Sequence, residues 1–150
     1  MPKRKPYEKR TDLEKIHSQW HKLTGLHTHE EWSAAIVRAA TAAELAANFA
    51  IRKEFESKSK FNSKFIDSLL RWGNGLEGKI NRLLIPLTIG EKHHKIIKKL
   101  KGASEQINGK RNAIAHRGEF CNEAESKAAI QQSRKFVETL VQIYEPSFVL

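Results

Sequence analysis

Between Trp32 and Ile51 the chain carries Ile36, Ala39, Ala40, Ala43, Ala47 and Ala50 at three- and four-residue steps, a spacing that gathers them on one face of an α-helix. Alanine loses no side-chain entropy in a helix and adds almost no bulk, so neighbouring helices can approach closely. The stretch predicts a central helix, and Thr28-His29-Glu30-Glu31 in front of it reads as a capping box that starts it.

The rest of the chain keeps the helical period. Leu13, Ile16, Trp20 and Leu23 mark a first helix that Gly25 is expected to end. Phe61, Phe65, Ile66, Leu69, Leu70 and Trp72 form another stripe, broken by Gly73-Asn74-Gly75. Leu76, Ile80, Leu83 and Leu84 resume the spacing until Pro86, and Thr88 to Glu91 offers a second capping box. Ile96, Ile97, Leu100, Ala103, Ile107 and Ile114 follow on a helix with an expected break near Gly102, before Gly118 stops it. Asn122 to Glu125 caps a last helix that turns Phe136, Val137, Leu140, Val141 and Tyr144 inward and ends by Pro146.

No strand pattern and no internal repeat interrupts this reading. It predicts an all-α, up-and-down bundle of four to five helices. A chain of 150 residues can bury one core, so one domain is expected over residues 12–145, with a flexible basic arm at 1–11 and a short tail at 146–150. The three tryptophans lie on apolar stripes and are expected in the core or at contacts between copies.

Charge speaks to partners. A formal net charge of +10 attracts polyanions, and nucleic acid is the default candidate. A single cysteine, Cys121, leaves no intrachain disulfide, and the N-terminus lacks the apolar run of a signal peptide, so a cytoplasmic chain is expected. The longest apolar run, Leu83 to Ile89, contains a proline and is shorter than the roughly 20 residues a bilayer requires, which argues against a membrane partner. His17 and His21 share metal-ligand spacing with His27 and His29 nearby. They lack a third ligand on the same rigid element, however, so neither a metal nor another cofactor is expected.

The chemistry concentrates in Arg111-Asn112-Ala113-Ile114-Ala115-His116, followed by Arg117 and Gly118. Arginine never loses its proton in a protein and grips phosphate, while an imidazole can move protons. On a helical wheel, however, Arg111 and His116 diverge by about 140°. A two-fold dimer resolves the conflict by lining one cleft with both groups from both chains. Glu44, in register with Ala40, Ala47 and Ile51, is the expected partner for Arg111, either as a plain ion pair or as support for the site. Upstream, Lys95, Lys98, Lys99 and Lys110, together with Arg117, form a basic surface that either tracks an RNA backbone or is merely solvated.

The sequence Arg-Asn-x-x-Ala-His-Arg-Gly, late in a helical chain, resembles the R-x(4-6)-H signature of HEPN domains. That resemblance implies a metal-independent endoribonuclease site across a homodimer, with Arg111, Asn112 and His116 catalytic and Glu44 supporting. The implied reaction cleaves single-stranded RNA by transesterification to a 2′,3′-cyclic phosphate, in a toxin or phage-defence setting with an antitoxin or defence-system partner. One branch of the family carries a tyrosine two residues after the histidine. Gly118 stands there in this chain, which argues against regulation by modification of that tyrosine. The alternative is a non-catalytic HEPN-like module that binds RNA or protein.

Overall fold

The computed structural model describes residues 3–73 and 75–150. Eight α-helical segments are present among them: α1 (Asp12–Thr28), α2 (Trp32–Lys58), α3 (Ser63–Trp72), α4 (Leu76–Gly78), α5 (Ile85–Leu87), α6 (His94–Lys99), α7 (Lys101–Arg117) and α8 (Glu123–Gln142). A π-helical segment, Lys79–Leu84, joins α4 to α5. Residues 76–87 therefore act as one rod wound in three pieces, and with α1, α2, α3, α7 and α8 the bundle has six rods rather than four to five. No strand occurs among the described residues.

The alanine-rich helix is central, as its spacing predicts. Its apolar positions from Ala35 to Ile51 are buried except for the half-buried Val37 and Leu45, and α1 and α8 pack along it, with α7 and the π-helical segment beside them. Ile16, Trp20 and Leu23 arrive from α1, Phe136, Val137, Leu140 and Val141 from α8, and Ile80 and Leu84 from the π-helical segment. A methyl side chain lets these large residues reach the α2 backbone, so the bulk of the core comes from the surrounding helices. Among the described residues α2 is the one helix long and apolar enough to cross a membrane, and most of it is covered by protein.

Helix boundaries depart from the sequence reading where a polar cap competes with burial. Gly25 does not end α1: the helix runs three residues further, and a glycine costs only about 1 kcal/mol in a packed helix. The Thr28 hydroxyl consequently donates to the Thr24 carbonyl (2.9 Å) inside α1, and α2 starts after Glu31 with no side-chain cap. A reciprocal capping box forms instead between Thr11 and Glu14, at the start of α1. The second expected box is also absent. Thr88 is fully buried and shares its hydroxyl between the Leu84 carbonyl (2.9 Å) and His94 Nδ1 (3.0 Å), while the Glu91 carboxylate turns to Lys58 (3.3 Å). The break expected near Gly102 falls at Leu100, between α6 and α7. Asn122 does cap α8, its Oδ1 accepting from the Glu125 N–H (2.9 Å).

Residues 5–10 of the basic arm lie along α1. Gln19 Nε2 donates to Tyr7 Oη (2.8 Å), Lys5 pairs with Glu14 (3.1 Å) and Arg10 donates to the Ser18 hydroxyl (2.5 Å). The tail also joins the domain beyond residue 145, with Phe148 buried and its carbonyl held by Gln142 (2.8 Å). Of the tryptophans, Trp20 is core, Trp32 is half-buried against the edge of His27, and Trp72 is 90% exposed, which removes Trp72 from the predicted core. The predicted glycine break around Asn74 is met at Gly73, which caps α3; Asn74 itself lies outside the described residues.

Candidate functional site

The motif occupies the last two turns of α7. Ser104, Ile107 and Ala113 are buried, which fixes the rotation of the helix and turns Arg111 outward with Asn112 half-buried beside it. Arg111 Nη1 donates to Asn112 Oδ1 (3.3 Å). Both side chains line a cleft of about 400 Å³ whose other walls include Thr41 and Glu44 of α2, Gly75 and Leu76 at the start of α4, and Asn108 of α7. His116 is exposed in the final turn and does not line this cleft. One chain thus brings Arg111, Asn112 and Glu44 together and leaves His116 outside, as expected for two side chains about 140° apart on a regular helix.

Gly118 ends the helix in a left-handed conformation (φ 66°), and the N–H groups of Gly118 and Glu119 both return to the Ala113 carbonyl. No atom lies near the position of an added Cβ, so the cost of a side chain there is purely conformational. Gly118→Ala is therefore expected to lower stability by about 1 kcal/mol, and Gly118→Asn by less, measured by urea unfolding.

Glu44 does not pair with Arg111. Its carboxylate accepts from Lys79 Nζ (2.7 Å), and Lys79 is only 4% exposed. The π-helical segment carries this lysine inward, where an unpaired ammonium would be costly, whereas the exposed Arg111 keeps its hydration. Replacing Glu44 with alanine is expected to cost about 2 kcal/mol, because Lys79 loses its counter-ion at a site water partly reaches. Adding Lys79→Met should recover most of that loss. Equal destabilisation in single and double variants, read from chemical denaturation, would reject this account.

Of the predicted backbone-tracking residues, Lys95, Lys98, Lys99 and Arg117 are exposed, and none takes part in an ion pair among the described residues. Lys110 is different and must be withdrawn from that set. It donates to Glu125 (2.7 Å) and Glu119 (3.0 Å), and these bonds raise its pKa above the ordinary lysine range. The capped start of α8 places Glu125 there, so Lys110 ties α7 to α8. Glu119, Cys121 and Glu125 could converge on a cation, and Lys110 already serves as the positive charge for the two carboxylates.

The sequence reading missed one polar cluster. Glu54, 2% exposed, accepts from Lys58 Nζ (2.7 Å), Tyr144 Oη (2.7 Å) and His93 Nε2 (2.5 Å). Burial works to raise the pKa of this carboxyl, but the donors Lys58, Tyr144 and His93 prevail and hold it below the usual glutamate range. Burial and Glu54 together push the Tyr144 hydroxyl well above the usual tyrosine value, so it stays a proton donor. The cluster ties α2 to the segment before α6 and to the residues after α8. Its signal was present in the sequence: Glu54 continues the register of Ala47 and Ile51, as Glu44 does at the other end.

Comparison of the chain with protein-family models, with curated proteins and with solved structures found no match.

Proposed function

We propose that this protein is a HEPN-type endoribonuclease that cleaves single-stranded RNA without a metal, at a site shared by two copies of the chain. One observation carries the reading: Arg111 and Asn112 share a cleft with Glu44, while His116 projects into solvent one and a half turns further along the same helix, with no partner among the described residues. Each half of such a site is incomplete, and a two-fold axis beside the end of α7 completes it.

In the proposed reaction the 2′-oxygen of the substrate attacks the adjacent phosphorus as the P–O5′ bond breaks. His116 of one chain takes the proton from the 2′-hydroxyl, and the partner's His116 protonates the leaving 5′-oxygen. The products are a 2′,3′-cyclic phosphate and a 5′-hydroxyl, so atoms and protons balance without water or an oxidant. Arg111 stabilises the charge that builds on the phosphorane, in the way a preorganised donor stabilises an oxyanion. Asn112 holds Arg111 in place through its carboxamide oxygen. Glu44 acts at one remove, by fixing the cleft wall through Lys79. Lys95, Lys98, Lys99 and Arg117 supply a basic track for the strand, within the field of a chain carrying a net charge of +10. The resemblance extends the proposal to a cytoplasmic toxin or phage-defence role, with a neutralising partner that does not act through a tyrosine at position 118.

A second reading, a non-catalytic module that binds RNA or protein, is favoured by the separation of Arg111 and His116 within one chain. The deciding experiment incubates the purified protein with labelled single-stranded RNA in EDTA and follows sedimentation in parallel. Cleavage to cyclic-phosphate ends by a dimer supports the enzyme. Intact RNA, or a monomer at micromolar concentration, supports the module.

A further inference from the structure

Trp72 ends α3 with its side chain 90% exposed, and it makes no ring contact and no cation–π contact among the described residues. A single exposed apolar residue is ordinary, but this one continues a row. Phe65 stands seven residues earlier, so the two lie about 20° apart around the helix and about 10 Å apart along it. Phe61, just before the Asn62 cap, rests its ring on Phe65 with centroids 4.7 Å apart, and these two side chains are 54% and 48% exposed. The Phe61–Phe65 contact steadies the entry into α3. It gives no reason for a tryptophan in water two turns further on.

The rest of α3 shows what the row faces. Ile66 and Leu70 are buried, on the side of the helix away from Phe65 and Trp72, so the aromatic rings point outward. Lys64 and Arg71, seven apart, form an exposed basic row along one flank of the aromatics, and neither takes part in an ion pair among the described residues. The one carboxylate of the helix, Asp67, is taken by Arg52. The row also leads toward the cleft that holds Arg111. A Cβ added to Gly73 would lie 3.2 Å from Leu83 Cδ1, so α3 ends pressed against the rod whose first residues, with Gly75, wall that cleft. Three residues of chain span at most about 11 Å, which bounds the distance from the Trp72 backbone to Gly75.

Aromatic faces beside cations without carboxylate partners suit a ligand that carries flat rings on an anionic backbone. We propose that the outer face of α3 is a stacking platform for the single-stranded RNA that enters the Arg111 cleft: Trp72 and Phe65 stack on bases while Lys64 and Arg71 hold the neighbouring phosphates. Every base has a π-face, so the platform tolerates any sequence, and it rejects a duplex, whose bases are already stacked. The inference rests on the ribonuclease reading for the role of Arg111, and on α3 alone for its chemistry.

The test measures binding of a mixed-sequence oligoribonucleotide, single-stranded or as a duplex, to the full chain carrying His116→Ala, by fluorescence anisotropy. Trp72→Ala should weaken binding of the single strand roughly tenfold and leave binding of the duplex unchanged. Trp72→Phe should keep most of the affinity but lose the quenching of tryptophan emission that the single strand causes. Lys64→Gln combined with Arg71→Gln should lower the slope of log affinity against log salt by about 1.4, for two phosphate contacts on a single strand. Unchanged affinity in Trp72→Ala, an equal loss on the duplex, or an unchanged salt slope overturns the proposal. Sedimentation of the same variants without RNA decides the other occupant: a dimer that Trp72→Ala converts to monomer assigns the row to a second copy and rejects the platform. Cleavage is scored apart from binding. If the protein with His116 intact cuts no RNA while Trp72-dependent binding holds, the ribonuclease reading falls and the platform stands; if it cuts RNA and Trp72→Ala binds as before, the platform alone falls.

Discussion

His116→Ala is expected to lower cleavage of single-stranded RNA by at least about a hundredfold, since positioned acid–base groups contribute roughly 10²–10⁴ to rate. A symmetric dimer loses its proton acceptor and its proton donor together, which places the expected loss toward the upper end of that range. Arg111→Ala should cost a similar factor, roughly 10²–10³, by removing the donor that meets charge developing on the phosphorane. Arg111→Lys should recover little, because an ammonium lacks the planar fork that meets two phosphate oxygens. His116 and Arg111 are both exposed, so circular dichroism and sedimentation of the variants should match the wild type. Cleavage by the His116 variant at the wild-type rate would end the catalytic proposal.

Glu54→Leu is expected to lower stability by about 3 kcal/mol, as for removal of one partner from a buried ionic cluster. His93 and Tyr144 lose their common acceptor, whereas Lys58 keeps Glu91 and the Leu87 carbonyl. At this chain length that loss corresponds to a fall in Tm of roughly 6–12 °C. The pH dependence has a definite sign. The folded carboxyl titrates below its ordinary value of 4.5, so its stabilisation is fully present above that pH and is lost as pH falls through the folded value. Urea unfolding of the wild type should weaken on acidification through this window, and Glu54→Gln should flatten the profile. Identical profiles would show that the carboxyl is not held as the structure implies.

Two of the three glutamates of α2, Glu44 and Glu54, show what could be read in advance. Both stand on the apolar register of that helix, so each needed a cation or several donors. The identity of those partners was beyond a helical wheel. Lys79 reaches Glu44 because a π-helical turn rotates it inward, and Tyr144 reaches Glu54 from 90 residues away. Caps failed for a related reason. Thr28 and Thr88 each had a sound local pattern, but both hydroxyls donate instead to the carbonyl four residues back along the chain.

The spacing of Arg111, Asn112 and His116 was legible, as was the angular conflict between the first and the last, because both follow from helix geometry alone. Local periodicity likewise determined that the chain is helical and that its alanine-rich segment lies at the centre. Tertiary structure decided which charges are spoken for: Lys110 by Glu119 and Glu125, Glu44 by Lys79, with Arg111 left facing an open cleft. Sequence spacing sets which face of a helix a residue occupies, but a charge's partner depends on which other helix is packed there. That choice is made by burial summed over the whole core.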